Sequence, residues 1–259
     1  MTQKHPNPKA EEKKLSMLSI RRLVPNALTL GAICLALTAL RLGIDGRFKL
    51  AVLSLIAAGF LDGIDGRIAR MLGAQSRMGA QLDSLADFFN FGITPVLLIY
   101  LWQPDSLQKF GWLGVLCYAV CGALRLARFH VDMEHRKKDP WEYNYFVGIP
   151  SPGAAGLVML PLYLDFWGVP LFRDLPILIS LYCAIIGLLM VSNIPTFSPK
   201  PVRFTIPKKL ALPLLLLVTL AAGAVLTYPW VGLSVLCALY LSTLPWSAWC
   251  YAKEEEKQK

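Results

Sequence analysis

The fold class expected from this sequence is all-α, a polytopic membrane protein with about eight transmembrane helices, and three features lead to it. Of 259 residues 55% are hydrophobic and the mean hydropathy is +0.50, too apolar for an ordinary soluble domain of this size. Apolar runs recur along nearly the whole chain. The Lys and Arg, which bring the formal charge to +9, gather beside those runs. There they suit anionic lipid headgroups, and without a basic stripe carrying interleaved aromatics no nucleic acid is expected as a partner.

Residues 1–24 read as a cytoplasmic tail, disordered over 1–14. From Lys14 to Val24, Met17, Ile20 and Val24 recur at helical spacing among basic residues, which fits either a short helix in the membrane interface or an ordinary basic tail. The polar stretch before the first apolar run is too long for a cleavable signal, so that run is expected to remain as a helix. It forms the first span, about 25–41, opening with Pro25-Asn26 and carrying Thr29 one turn on.

The second span begins near Phe48. Its charge-free part, Leu50 to Leu61, covers only about 18 Å of a hydrocarbon core of about 30 Å, so the helix must continue through Asp62 and Asp65 to cross. The third span mirrors it: Phe88 to Trp102 covers about 22 Å, which draws Asp83 and Asp87 into the membrane or to its edge. The turn between them, Gly73 to Met78, is short, so all four acids lie at the same membrane face.

The fourth span covers about 110–129, followed by a polar loop over 131–147 that contains Arg136, Lys137 and Lys138. Pro150 and Pro152 introduce a fifth span, about 151–167, and a sixth covers about 175–192. Residues 25–195 thus hold six helices. Residues 196–252 hold a basic loop with Lys200, Arg203, Lys208 and Lys209, then two further spans divided at Tyr228-Pro229-Trp230, and 253–259 form a cytoplasmic tail.

Eight spans place both termini on one side. Of 26 Lys and Arg only Arg41, Arg47, Lys49, Lys109 and Arg173 fall in the opposite loops, so the side of the termini and the acids is cytoplasmic and the membrane is the plasma (inner) membrane. The six cysteines all fall in apolar runs and none forms a C-x-x-C pair, which suits small core or lipid-facing residues.

The acids are the functional signal. Carboxylates are costly inside apolar segments, and their spacing is ordered: Asp62 and Asp65 are i, i+3, and Gly79, Asp83 and Asp87 are i, i+4, so each set shares one helix face. Oxygen ligands of this kind suit Mg²⁺ or Mn²⁺, and four carboxylates exceed what one Mg²⁺ normally takes, so two divalent cations are expected. Gly63 and Gly66, with Ala69 a turn later, leave room for a large ligand beside the backbone, although Gly59-x3-Gly63 is also a helix-packing motif. Ion pairs with Arg67, Arg70 or Arg77 are the structural alternative, a costly way for four acids to fasten two helices.

The run Asp62-x2-Asp65-Gly66-x2-Ala69-Arg70-x8-Gly79-x3-Asp83-x3-Asp87 resembles the full signature of the CDP-alcohol phosphatidyltransferase family. The resemblance implies that Asp62, Asp65, Asp83 and Asp87 hold two cations against the diphosphate of a CDP-alcohol. It further implies that Asp87 is also the base, and that Gly66, Ala69, Arg70 and Gly79 line the nucleotide. Asn26 and Thr29 are similar to the family's first-helix contacts to CDP.

Arg125 and Arg128, i, i+3 near the end of the fourth span, could bind a carboxylate or phosphate, or could sit in the interface as snorkelling arginines. The segments Ala123–Phe129 and Phe146-x-Gly148-x-Pro150-x-Pro152 are similar to those of membrane-integral, serine-accepting members of the family. That resemblance implies CDP-diacylglycerol and L-serine as substrates, Arg125 and Arg128 as acceptor contacts, and a homodimer. The nearest rival acceptor is glycerol 3-phosphate, and the rival from another class is a cation transporter. Transport sites are expected near the midplane, often with inverted repeats, which the sequence does not show.

Overall fold

The structure, a computed structural model, describes residues 8–104, 108–135, 145–170, 172–173, 175–197, 216, 219 and 223–258. It is helical apart from one short ladder, and the chain divides into two compact units, Met1–Thr94 and Pro95–Lys259.

In the first unit α1 (Pro8–Ile44) packs along α2 (Phe48–Met71), and α3 (Arg77–Asp87) with the π-helical segment Phe88–Ile93 packs against both. Small residues set the closeness of α1 and α2. Ala32, Ala36 and Ala39 form a fully buried stripe, and a Cβ on Gly31 would come within 3.1 Å of Leu61 Cδ2. Across the pair the Ser54 hydroxyl donates to Leu35 O at 2.8 Å. The helix α1 already runs from Pro8, so residues 8–14 are helical and not the disordered tail expected of them, and Met17, Ile20 and Val24 lie on the same continuous helix as the first span.

In the second unit α4 (Thr94–Trp102) is followed by α5 (Gln108–His135), which packs on α8 (Pro176–Val191). Backbones nearly touch there: a Cβ on Gly114 would lie 2.4 Å from Ser180 O, and one on Gly187 2.9 Å from Tyr118 Cα. Tyr118, Cys183 and Ile186 fill the interface and are fully buried. The fifth span is not one helix: α6 (Ser151–Val158) and α7 (Leu160–Trp167) meet at Met159. Pro161, in the first turn of α7, lacks the N–H that would have continued the ladder to Leu157 O, and the Tyr182 hydroxyl donates to that carbonyl. After α8, β2 (Pro195–Phe197) pairs antiparallel with β1 (Tyr145–Val147), Phe146 opposite Thr196, a ladder the sequence reading did not foresee. A long final helix, α9 (Pro229–Gln258), begins just after the break at Tyr228 and packs on α7 through Phe166 and Trp230, whose rings lie 4.7 Å apart.

Among the described residues four helical stretches are long and apolar enough to cross a membrane: Leu23–Ile44, Arg77–Trp102, Gly111–Val131 and Pro229–Glu254. Among the described residues the other expected spans do not meet both criteria, for identifiable reasons. α2 has the length, at 24 residues, but carries its motif's charges; α6 and α7 are each 8 residues; α8 is apolar but only 16 residues. Most of the expected seventh span, the basic loop with Lys200, Arg203, Lys208 and Lys209, and the loop residues Arg136, Lys137 and Lys138 lie outside the described residues. α5 also continues to His135, into what was expected to be loop.

Candidate active site

The acids come together because one tight turn folds α3 back beside α2. At the end of α2, Gly73 takes a left-handed φ of +59°, Gly73 N donates to Arg70 O at 3.2 Å and Ala74 N to Ala69 O at 2.9 Å. This closing pattern satisfies the last carbonyls of a helix and costs least with glycine at the left-handed position. Three residues on, Ser76 starts α3 as its N-cap, its hydroxyl accepting from Gly79 N at 2.9 Å.

Asp62 and Asp65 are then buried, and one oxygen from each of Asp62, Asp65 and Asp83 lies within 4.8 Å of the others. Asp87, one turn beyond Asp83, joins the group: its carboxylate lies near enough for its charge to act on both Asp62 and Asp83. Among the described residues no arginine side chain is hydrogen-bonded to the α2 acids. Thr29 Oγ1 donates to Asp65 Oδ2, and Asn90 Nδ2 donates to Asp62 Oδ1 at 3.1 Å, both neutral groups.

The other oxygen, Asp65 Oδ1, is buried with no hydrogen-bond partner. A buried carboxylate oxygen without a donor is strongly unfavourable unless a cation meets it. An all-oxygen donor set around such an atom suits a divalent cation of the Mg²⁺ or Mn²⁺ type, so the residues present fit the metal that the spacing predicts.

Beside the acids lies a cavity of about 330 Å³. Its walls come from α1 (Pro25, Asn26, Thr29), α2 (Asp65, Gly66, Ala69, Arg70), the turn (Ala74, Gln75, Ser76) and α3 (Gly79, Ala80, Asp83). All six residues expected beside the nucleotide, Asn26, Thr29, Gly66, Ala69, Arg70 and Gly79, therefore face one space shared with two of the acids. A Cβ on Gly66 would meet nothing within 4 Å and would project into open space, whereas one on Gly79 would press on Ser76 Oγ at 3.0 Å and Asn26 Oδ1 at 3.1 Å. Gly59 answers to the packing alternative, since its Cβ would lie 3.1 Å from Phe91 Cε1.

Arg125 and Arg128 belong to the second unit, on α5, and are engaged as braces. Arg125 Nε donates to Ile149 O at 2.8 Å and its Nη1 to the Ser151 hydroxyl. Arg128 donates to Val191 O at 3.1 Å and to Asn193 Oδ1 at 2.7 Å. They fix the lead-in to α6 and the end of α8, an employment neither sequence alternative anticipated. The chain reaches Arg125 this way partly because Gly148, at φ +75°, passes so close to α8 that a Cβ there would lie 2.4 Å from Met190 O.

Sequence reasoning passed over Gln75, Ser76 and Asn90. Ser76 was detectable as a cap three residues before Gly79, and Asn90 as the next member, after Asp83 and Asp87, of one helical stripe.

Comparison with known proteins points the same way. A protein of Mycobacterium tuberculosis named CDP-diacylglycerol–serine O-phosphatidyltransferase is 36% identical over 234 residues, covering 87% of this chain and 78% of that protein. A Helicobacter pylori protein of the same name is 34% identical over 219 residues, covering 85% of this chain and 88% of its own. One from Bacillus subtilis, again so named, is 34% identical over 171 residues, covering 66% and 88%. The family profile described as CDP-alcohol phosphatidyltransferase matches residues 22–249, and the chain belongs to that family.

Proposed function

We propose that this protein is a membrane-integral enzyme that transfers the phosphatidyl group of CDP-diacylglycerol to the hydroxyl of L-serine, giving phosphatidylserine and CMP. The observation that carries the reading is the cavity in which the signature's small residues and Arg70 stand beside the clustered acids. The relatives named for the serine reaction support the choice of acceptor.

Asp62, Asp65, Asp83 and Asp87 are the residues that would hold two divalent cations, Mg²⁺ or Mn²⁺. Bound there, the cations would supply positive charge for the diphosphate and for the departing CMP. The chain's own part is binding and orientation. Gly66, Ala69 and Gly79 admit the nucleotide close to the helix backbones, with Asn26, Thr29 and Arg70 offering polar contacts. Serine is held with its hydroxyl toward Asp87. The serine oxygen bonds to the phosphorus that bears the lipid, the bond from that phosphorus to the CMP oxygen breaks, and Asp87 accepts the hydroxyl proton. Positioning and charge stabilisation carry most of such a reaction. Throughout, the acyl chains remain in the bilayer.

In this reading the guanidinium groups of Arg125 and Arg128 meet the serine carboxylate. The chain crosses the plasma membrane about eight times, α2 completing its crossing through the acid motif, with the site and both termini cytoplasmic as the basic residues suggest. A homodimer is expected from the family resemblance.

The test is CMP release by the purified protein given CDP-diacylglycerol with each alcohol in turn. Metal-dependent release with L-serine supports the reading. Release with glycerol 3-phosphate but not serine replaces the acceptor, and cation uptake into vesicles without any CMP replaces the enzyme by a transporter.

A further inference from the structure

One polar side chain at the acids is absent from the signature's spacing. Asn90 lies in the π-helical segment between Phe89 and Phe91, is fully buried, and makes a single bond among the described residues, Nδ2 to Asp62 Oδ1 at 3.1 Å. Its own oxygen is buried with no partner. An amide buried this completely loses hydration that one bond only partly offsets. The orientation of the amide follows from chemistry: Oδ1 turned toward a carboxylate would set lone pairs against lone pairs, so Nδ2 faces Asp62.

We propose that Asn90 is a positioning residue for Asp62, fixing the rotation of that carboxylate so that its second oxygen is presented to a divalent cation. The proposal rests on the reading that the four aspartates hold such cations. Thr29 stands in the same relation to Asp65: it holds Oδ2, and Oδ1 is left buried and unpartnered. Each α2 acid is thus gripped through one oxygen by a neutral donor from a different element. Neutrality matters, because Lys or Arg in either place would spend the carboxylate's charge, whereas an amide or hydroxyl orients it and leaves the charge for the ion. The π turn is the backbone feature that carries Asn90, and such turns concentrate at functional sites.

Mn²⁺ binding to the purified full-length protein in detergent, followed by the electron paramagnetic resonance of free Mn²⁺ without substrate, tests this. Asn90→Leu keeps similar bulk and removes the donor, and its Mn²⁺ affinity should fall about 10- to 100-fold. Its melting temperature in excess EDTA should equal or exceed that of the unaltered protein, since a buried amide has gone. Asn90→Ser, which retains a donor, should bind Mn²⁺ more tightly than Asn90→Leu. Unchanged affinity in Asn90→Leu, or equal losses in the Leu and Ser variants, overturns the proposal. So does an Asn90→Leu protein that melts lower or fails to fold in EDTA, since that assigns Asn90 to packing. If the unaltered protein binds no Mn²⁺, the metal reading itself has failed, a result recognisable before any variant is made.

Discussion

Gly66 and Gly63 lie one helical turn apart on α2, and a Cβ on either would meet nothing within 4 Å, but only Gly66 lines the cavity beside the acids. This pair separates the needs of the fold from the needs of the site. Gly→Ala inside a helix gains about 0.5–1 kcal/mol in helix propensity, and neither methyl has a neighbour to strike. Both variants should therefore melt at or slightly above the temperature of the unaltered protein. At Gly66 the methyl occupies space meant for the nucleotide and pushes it off the helix, and a displacement near 1 Å costs about 100-fold in rate. That corresponds to about 2.7 kcal/mol in kcat/KM. The assay is CMP release in mixed micelles over a range of CDP-diacylglycerol concentrations, paired with thermal unfolding in the same detergent. Gly66→Ala should lose about 100-fold in kcat/KM while Gly63→Ala retains most of it. Equal activities in the two variants, or an activity loss in Gly66→Ala that tracks a lower melting temperature, would refute the reasoning.

Other expectations follow from single contacts. Asp87→Asn removes the proton acceptor as well as one charge from the cluster, so kcat should fall about 10²- to 10⁴-fold, read as CMP release at saturating CDP-diacylglycerol and serine. Gly114→Ala forces a methyl to 2.4 Å from Ser180 O and should destabilise the α5–α8 pairing by about 1–3 kcal/mol, seen as a lower melting temperature, with little change in kcat/KM per folded molecule. Arg125→Lys keeps the charge but cannot reach Ile149 O and the Ser151 hydroxyl together. Its KM for serine should rise while its KM for CDP-diacylglycerol is largely kept, and a uniform fall in both activity and stability would mark the arginine as a brace alone.

Much of the site could be read from spacing because helix geometry is regular. Three- and four-residue intervals put Asp62 with Asp65 and Asp83 with Asp87 on common faces, and the short turn left the two helices no choice but to lie side by side. The glycine at 73 and the serine at 76 are the local devices that execute this, and each has a recognisable signal. What spacing could not give is departure from regularity. The π turn at Phe88–Ile93 is such a departure: Asn90 continues the Asp83–Asp87 stripe, but no periodic reading marks the π turn that carries it. Likewise the interruption at Met159 hangs on Pro161, which stands in the middle of the expected fifth span, where a proline breaks or kinks a helix and the continuous apolar run conceals it. The bracing of Arg125 and Arg128 was hidden because their partners, the carbonyls of Ile149 and Val191 and the side chains of Ser151 and Asn193, all lie more than 20 residues away in sequence, beyond the reach of helical spacing. Composition misled at the amino end: the polar residues 1–14 suggested disorder, yet the backbone of α1 is helical from Pro8.

The most direct test of the central claim is a structure of the protein crystallised with Mn²⁺ and CDP, with anomalous scattering recorded for manganese. Two manganese peaks among Asp62, Asp65, Asp83 and Asp87, with the nucleotide in the cavity walled by Gly66 and Gly79, are the predicted result. A nucleotide bound elsewhere, or those carboxylates without any manganese peak between them, would contradict it.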